Sequence, residues 1–394
     1  MSVALAAGAR DGLRAVAAPI AAISTLGLAL AMSLPLFALA LEREGVSGTA
    51  IGLNAMAAPL AIVLLSPVLP LALARLGLVR LTAGAAALVA VVFGLLPEGH
   101  GMVWWTLMRL LWGAGGAALF FAAEFWIVAA APAGVRGRAI AAYGIVFSAA
   151  FAAGPLVLLA TGTEGALPFR VAGAIALASL VPLALGARAA PDPSPAAAED
   201  GPRPLFALLR YGRSDPALLC AVLLFGAIEY GTGALFSVWG VRAGLDEGAS
   251  VTLLAAFAIG SMALMLPLGW AADRFAVRPL LALAAGACVA APVWLWAAAP
   301  SAWLAAPAML VWGGFGAGLY TLALAGLGAR YRGQRLAEAQ ASVGLAYGLG
   351  ALAAPALMGG AMDALSPPHG MMAAAAGLAI AYLCLVLVRM RRRP

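Results

Sequence analysis

The amino-acid sequence predicts an all-α polytopic membrane protein, with twelve transmembrane helices arranged as two six-helix bundles. Three observations point to this fold: an apolar composition, a series of long apolar segments, and a similarity between the two halves of the chain. Of the 394 residues, 64% are hydrophobic and 10% are charged, whereas soluble proteins carry about 25% charged residues. Because a soluble fold needs polar side chains over its surface, we expect most of this surface to face lipid.

The basic and metal-binding residue types exclude several functions. All 23 basic residues are arginine, which excludes ATP hydrolysis at a Walker A loop and Schiff-base catalysis, since both need lysine. His100 and His369 fall in short connections, and Cys220, Cys288 and Cys384 lie in separate apolar segments. We therefore expect no metal site, cofactor or disulfide, and no enzymatic activity.

Twelve apolar segments are long enough to cross a bilayer, which takes about 20 helical residues. The first is longer than the apolar part of a signal peptide, about 7–15 residues, so we expect it to be retained. The segments lie near 16–41, 48–74, 81–97, 102–131, 138–161, 167–187, 216–241, 249–271, 279–299, 302–329, 336–362 and 370–388.

The arginines predict the orientation of the chain. With a cytoplasmic N-terminus and alternating spans, all of them except Arg43, Arg109, Arg170 and Arg242 fall on the cytoplasmic side. This follows the positive-inside rule, so we expect a bacterial inner-membrane protein with both termini in the cytoplasm. The net charge of +7 is then a consequence of topology, and we expect no nucleic-acid partner.

The longest polar break predicts the domain boundary. Residues 188–215 begin with a stretch rich in proline, alanine and acid, which is typical of a flexible linker. A short amphipathic helix is predicted after it, around 205–209. We therefore expect an N-terminal bundle at 1–187, a cytoplasmic linker at 188–215 and a C-terminal bundle at 216–394.

The two halves contain an internal repeat. The Trp-Gly pair at 112–113 recurs at 312–313, and Pro155 recurs as Pro355, with one ungapped offset of 200 residues. Spans four and five therefore correspond to spans ten and eleven. Parallel repeats that enclose a site near the bilayer midplane are a common design of secondary transporters.

The loop PLGWAADRFAVR at 267–278 contains the pattern G-x-x-x-D-R-x-x-x-R, with Asp273, Arg274 and Arg278 in place. This pattern resembles the signature loop of the major facilitator superfamily. RLLWG at 109–113 resembles its fourth-helix pattern. The resemblance covers the whole chain and implies two bundles around a central cavity that opens alternately to each side. It also implies a cytoplasmic gate at the Asp-Arg loop.

Shorter motifs refine this resemblance, and others depart from it. IEYGTGAL and YRGQRLAEA resemble the YcaD-type bacterial branch of the family. The first-half loop has Pro70 where the family has glycine and Ala74 where it has aspartate, so the gating contact of that aspartate is absent. The glycine pair of the antiporter-type fifth helix is also missing after Pro155. These departures argue against drug–proton antiport.

Glu229 is the principal candidate site residue. It lies about 20 Å along span seven from Pro216, at 1.5 Å per residue, and so close to the midplane. An ionised acid there costs about 2.5–3.5 kcal/mol on the insertion scale. It must therefore face a wet cavity, be protonated or be paired. We predict a proton and substrate site at Glu229 and Tyr230; the alternative is a structural acid that bonds neighbouring helices.

Two charged residues of span four have alternative roles. Arg109 could anchor an anionic solute, pair with an acid, or extend to the outer interface. Glu124 could release protons to the cytoplasm, or pair with Arg136 or Arg138 to brace an inner gate. Isolated polar side chains in other spans could contact solute or bond helices together, typically worth about 0.6 kcal/mol. They are Asn54, Tyr143, Gln340 and Tyr347.

The sequence thus predicts a secondary active transporter. We expect it to move a small organic solute by alternating access, with proton coupling through Glu229, and to act as a monomer in the bilayer. The alternative is an uncoupled facilitator or exchanger of an anionic solute, anchored by Arg109. A membrane-embedded enzyme is disfavoured because the spans contain no histidine or lysine.

Overall fold

The structure is a computed structural model that describes residues 2–130, 136–191, 204–298, 301–365 and 368–391. Over these residues it is helical and contains no strand. The α-helices are α1 Ser2–Arg43, α2 Gly48–Leu65, α3 Leu69–Leu76, α4 Leu78–Leu95, α5 Met102–Ala130, α6 Arg136–Thr161, α7 Leu167–Ala178, α8 Leu180–Gly186, α9 Pro204–Ser214, α10 Pro216–Arg242, α11 Glu247–Arg274, α12 Val277–Ala298, α13 Ala302–Arg330, α14 Gly333–Ala364 and α15 Gly370–Arg391.

Twelve stretches in the described part of the chain are long and apolar enough to cross a membrane, which confirms the predicted number. They are Val16–Arg43, Gly48–Leu65, Leu78–Glu98, Met102–Ile127, Ala142–Thr161, Leu167–Gly186, Pro216–Arg242, Glu247–Arg274, Val277–Ala298, Ala302–Arg330, Glu338–Ala364 and Gly370–Arg391. Helices satisfy their own backbone hydrogen bonds, which is why an apolar chain adopts them in lipid.

The second span ends earlier than predicted. The prediction extended it to residue 74, but α2 ends at Leu65 and α3 is a separate short helix. Pro67 disfavours helical conformation at the residue before it and lacks an N–H for the helical ladder. The chain turns instead, with the Val68 N–H donating to the Leu65 carbonyl at 2.8 Å. The sixth span is likewise divided into α7 and α8, and Pro182 has no N–H for the carbonyl four residues earlier.

The linker contains the predicted short helix, which is α9. Tyr211 of α9 is buried, and its hydroxyl donates to Glu338 Oε2 at 3.1 Å and to the Arg335 carbonyl at 3.0 Å in α14. This helix is therefore fastened to α14 by polar contacts. The part of the linker predicted to be flexible falls largely in 192–203, outside the described residues.

The chain forms two compact units. The first comprises Met1–Leu36 and Ala57–Gly201, and the second comprises Phe37–Met56 and Pro202–Pro394. The second unit therefore includes the end of α1 and the first half of α2, together with the helices of the C-terminal half. Residues 37–56 therefore contribute side chains to contacts within the second unit.

Helix packing within each unit follows the internal repeat. A Cβ added at Gly113 would overlap Ala58 of α2, and one at Gly313 would overlap the backbone of Phe257 in α11. Span four thus packs closely on span two, and span ten packs in the same way on span eight. Close approach of helix backbones at small residues is typical of membrane bundles.

The helices α10 and α14 also approach each other closely at glycine residues. A Cβ at Gly226 would overlap the Tyr347 carbonyl, and one at Gly350 would overlap the Leu223 carbonyl. Glycine on both helices brings the two backbones together. This close contact lies beside Glu229 in the chain and determines which groups of α14 the acid can meet.

Candidate functional site

Glu229 and Tyr347 form a direct hydrogen bond. The Tyr347 hydroxyl donates to Glu229 Oε2 at 2.7 Å, and both side chains are half-buried. The bond joins α10 to α14 in the interior of both spans. The structure therefore brings together two residues that the sequence singled out separately.

Aromatic rings surround this pair. The ring of Phe225 lies 5.7 Å from that of Tyr347 and 5.4 Å from that of Tyr320 in α13, between centroids. The sequence analysis did not select Phe225. Its position one helical turn before Glu229, on the same face of α10, was the available signal. The site thus combines one carboxyl group, two phenol hydroxyls and three aromatic rings from three helices.

Tyr230 faces a different neighbour from Glu229. Its hydroxyl donates to the Ala55 carbonyl of α2 at 3.3 Å. Asn54, the residue before Ala55, is fully buried. Within the second unit, α2 therefore lies on the Tyr230 side of α10. Gln340 is exposed, seven positions before Tyr347 on α14.

The first unit holds the other predicted charges. Arg109 is fully buried in α5, which excludes the alternative in which its side chain extends to the outer interface. Glu124 is exposed, and its Oε1 accepts a hydrogen bond from the Tyr143 hydroxyl at 3.4 Å. The side chains of Arg136 and Arg138 lie outside the described residues, so their pairing with Glu124 stays a prediction.

An ionic network at one end of the second unit was not predicted. Arg242 at the end of α10 pairs with Glu42 of α1 through two contacts, Nε to Oε1 at 2.8 Å and Nη2 to Oε2 at 2.7 Å. Its Nη1 also donates to Asp363 Oδ1 of α14 at 3.0 Å. Two parallel bonds between a guanidinium and a carboxylate are a strong form of ion pair.

Asp363 extends this network to the start of α2. Its carboxylate accepts from the Gly48 N–H at 3.0 Å, the Thr49 N–H at 2.7 Å and the Thr49 hydroxyl at 2.7 Å. A carboxylate at this position satisfies N–H groups that a helix leaves without partners at its first turn. The ends of α1, α2, α10 and α14 are thus tied together. The sequence analysis had placed Arg242 on the outer side without assigning it a role.

The gate residues predicted in the Asp-Arg loop lie at the end of the second unit opposite to the Arg242 network. Asp273 and Arg274 are exposed, and the Arg274 guanidinium lies 4.2 Å above the Trp270 ring. No carboxylate among the described residues pairs with Arg274 or Arg278. The gate role of this loop stays a prediction.

Other residues form the ion pairs at this end. Asp215, before α10, accepts from the Arg330 guanidinium and from the Tyr331 hydroxyl. Glu338 accepts from Tyr211, as described for α9. Burial, followed by the bond to Asp215, raises the pKa of Tyr331; burial, followed by the bond to Glu338, raises that of Tyr211. Both hydroxyls therefore remain protonated donors at neutral pH.

No group of three or more histidine, cysteine, aspartate or glutamate side chains in the described ranges is placed to hold a metal ion. The polar groups near Glu229 are instead suited to hydrogen bonding with a solute and to holding a proton.

Comparisons with known proteins give one consistent result. The family model of the Major Facilitator Superfamily matches residues 20–255 and 249–394. The chain is 29% identical over 262 residues to an uncharacterized MFS-type transporter, YfkF, of Bacillus subtilis strain 168, with 66% of each chain covered.

Solved structures share the architecture. The nucleoside transporter NupG matches with a TM-score of 0.77 at 13% identity, over 97% of this chain and 99% of that one. A bacterial homologue of the human lysosomal transporter Spinster, in an inward-facing and occupied conformation, matches with a TM-score of 0.73 at 14% identity, over 95% and 96%. Identities this low show a shared fold.

Proposed function

Because this chain belongs to the Major Facilitator Superfamily and is a membrane transporter of that type, we propose that it couples the movement of a small organic solute to protons through Glu229. The proposal places it in the bacterial inner membrane as a monomer, with both termini in the cytoplasm and with alternating access to the two sides. Its assignment to the YcaD-type branch stays a prediction.

The observation that carries this proposal is the bond between Tyr347 and Glu229. An ionised carboxylate only accepts hydrogen bonds, whereas a protonated one also donates. A proton on Glu229 therefore changes which hydrogen bonds the site offers to a solute. The Tyr347 hydroxyl can donate to an oxygen of the carboxyl group in either protonation state.

The surrounding rings suggest the kind of solute. Phe225, Tyr320 and Tyr347 offer apolar faces, and aromatic rings prefer offset or edge-on partners. Glu229 adds one group that accepts or donates a hydrogen bond. We expect a solute with a planar or apolar face and at least one polar group.

The ionic network at Arg242 supports alternating access. It ties the ends of α1 and α2, from the first half of the chain, to α10 and α14, from the second. Any transport cycle that moves these spans apart has to break the pairs of Arg242 with Glu42 and Asp363. Contacts of this kind are suited to a gate, since they are made in one state and lost in the other.

The test is Glu229→Gln in proteoliposomes, after a metabolite panel has identified a solute that stabilises the purified protein. We expect this variant to lose accumulation driven by a pH gradient and to keep solute exchange. Glu98→Gln is the matched control, because Glu98 is exposed near the end of a span and has only a 4.0 Å contact with Arg170. Unchanged pH-driven accumulation in Glu229→Gln would remove this residue from coupling.

A second candidate function rests on Arg109. A fully buried arginine inside a span is costly and is suited to holding an anionic solute by two parallel hydrogen bonds. The protein would then be an uncoupled facilitator or exchanger. Arg109→Ala should raise the half-saturation concentration by about tenfold or more, and anion exchange should not depend on a pH gradient. An unchanged half-saturation concentration excludes this function.

A further inference from the structure

A basic pocket lies at the predicted cytoplasmic end of the second unit. Four helices meet there: α10 and α12 begin at the pocket, and α13 and α15 end at it. Its volume is about 530 Å³, within the roughly 300–1,000 Å³ typical of small-molecule sites. Arg278, Arg330 and Arg389 line it, with Asp215 as the one acidic lining residue; we call it the arginine pocket. Neither the Glu229 site nor the Arg242 network includes any of these residues.

The charges of the arginine pocket do not balance. Asp215 is buried and accepts from Arg330, so these two charges neutralise each other. No carboxylate among the described residues pairs with Arg278 or Arg389. Two of the three arginines that line the pocket therefore carry a positive charge that no carboxylate in the described part of the chain neutralises. Guanidinium groups bind phosphate through two parallel hydrogen bonds, which a lysine ammonium cannot do.

The helix directions add to this positive potential. α10 begins at Pro216 and α12 at Val277, and both first turns line the pocket. The N-terminal end of a helix carries a partial positive charge. Two such ends and two arginines from separate helices thus converge on one cavity.

Two of the helices that line the pocket also carry exposed apolar side chains near their ends. Leu387 and Val388 precede Arg389 on α15, and Leu283 follows Arg278 on α12 by little more than one turn. All three side chains are exposed. Exposed apolar side chains on a membrane span are suited to contact with lipid, whereas a surface that faces water would carry polar residues. The pocket lies where the spans end, which is the level of lipid headgroups. A molecule with a phosphate in the pocket could therefore lay acyl chains against α12 and α15.

We propose that the arginine pocket binds the phosphate group of an anionic phospholipid headgroup. Basic pockets between membrane helices on the cytoplasmic side are suited to such headgroups. A free phosphate anion has the same charge chemistry but does not use the apolar flanks. The proposal is independent of the proposed solute and of proton coupling.

The test compares lipids by thermal unfolding of the full-length purified protein in a neutral detergent. The probes are phosphatidylglycerol, phosphatidylcholine and inorganic phosphate. We expect phosphatidylglycerol to raise Tm more than phosphatidylcholine does, and inorganic phosphate to have little effect. Arg278→Gln/Arg389→Gln should weaken the apparent affinity for phosphatidylglycerol by about tenfold or more.

The matched control is Arg75→Gln/Arg188→Gln. This double variant likewise removes two arginines from the predicted cytoplasmic side, and both are exposed, but neither residue lines the pocket. An equal loss of phosphatidylglycerol response in both double variants would mean general attraction of the basic surface, and would overturn the proposal. Stabilisation by inorganic phosphate without any by phosphatidylglycerol would overturn it as well.

A second measurement uses only the wild-type protein and so does not depend on the folding of variants. A phosphatidylglycerol analogue with a photoreactive headgroup is crosslinked in vesicles, and the labelled peptides are identified. We expect labels around residues 276–279 and 387–391. Labels spread evenly over all the predicted cytoplasmic loops contradict the proposal.

Discussion

The Tyr347 hydroxyl lies 2.7 Å from Glu229 Oε2 and donates a hydrogen bond to it across the contact between α10 and α14. The two residues are 118 positions apart in the chain, yet the packing of α10 on α14 places them in direct contact. The Phe225 ring packs against Tyr347 beside this bond, so the phenol has little freedom to leave it.

Tyr347→Phe should impair proton coupling while preserving the fold. Phenylalanine keeps the ring contact with Phe225 but removes the donor, and a hydrogen bond to a charged group is worth about 1.5–3 kcal/mol. We expect accumulation driven by a pH gradient to fall about tenfold, measured in proteoliposomes. Solute exchange serves as the control and should stay unchanged in Tyr347→Phe, as it does in Glu229→Gln. Accumulation equal to that of the wild type in Tyr347→Phe would mean that the bond to Glu229 has no part in coupling.

The Arg242 network should contribute measurably to stability. Arg242→Gln leaves Glu42 and Asp363 without their shared cation, whereas Asp363→Asn keeps the pair of Arg242 with Glu42. These groups are about a quarter exposed. We therefore expect Arg242→Gln to lower the free energy of unfolding by about 1–2 kcal/mol, between the losses typical of surface and of buried ion pairs. Thermal unfolding in detergent measures it.

Asp363→Asn should cost less than Arg242→Gln, since its amide oxygen can still accept from α2. Equal effects of the two variants would argue against a network centred on Arg242. A variant of Arg170, whose contact with Glu98 measures 4.0 Å between exposed side chains, should leave the unfolding temperature unchanged and serves as the control.

Gly350→Ala should disturb the packing of α10 on α14. The new methyl group would overlap the Leu223 carbonyl, and overpacking of this kind costs about 1–3 kcal/mol. We expect a lower unfolding temperature, and lower transport activity because the shift also moves Tyr347.

Gly344→Ala on the same helix is the matched control. Nothing lies within 4 Å of its added Cβ, and alanine favours helix by up to about 1 kcal/mol over glycine. It should be neutral or stabilising. If Gly344→Ala destabilises the protein as much as Gly350→Ala does, the close approach of the two backbones is not the cause.

The C-terminus should face the cytoplasm, and the N-terminus should share that side because the number of spans is even. A fluorescent protein fused after Pro394 should fluoresce in cells, and alkaline phosphatase fused at the same position should be inactive, because that enzyme needs the oxidising periplasm. Active alkaline phosphatase at this end would contradict the orientation derived from the arginines.

The sequence-based boundary of the second span was wrong at the end of α2. The sequence analysis also did not predict the ion pairs of Arg242. Residues 66–74 are nearly all apolar, so a count of apolar residues does not detect the helix break at Pro67. Three spans end on the same predicted side of the membrane with a charged residue each: Glu42, Arg242 and Asp363. The sequence therefore predicts that these charges lie at a similar depth, but it does not predict which of them form ion pairs.

The sequence alone determined the number of spans and singled out Glu229, because hydropathy and isolated charges are properties of one segment at a time. The tertiary structure decided that Tyr347 meets Glu229, that Arg242 joins α1 to α14, and that Arg278 and Arg389 share a pocket. In spans that are apolar on nearly every face, periodicity does not define helix rotation. Only packing, through close contacts such as that of Gly350 with Leu223, selects which side chains meet.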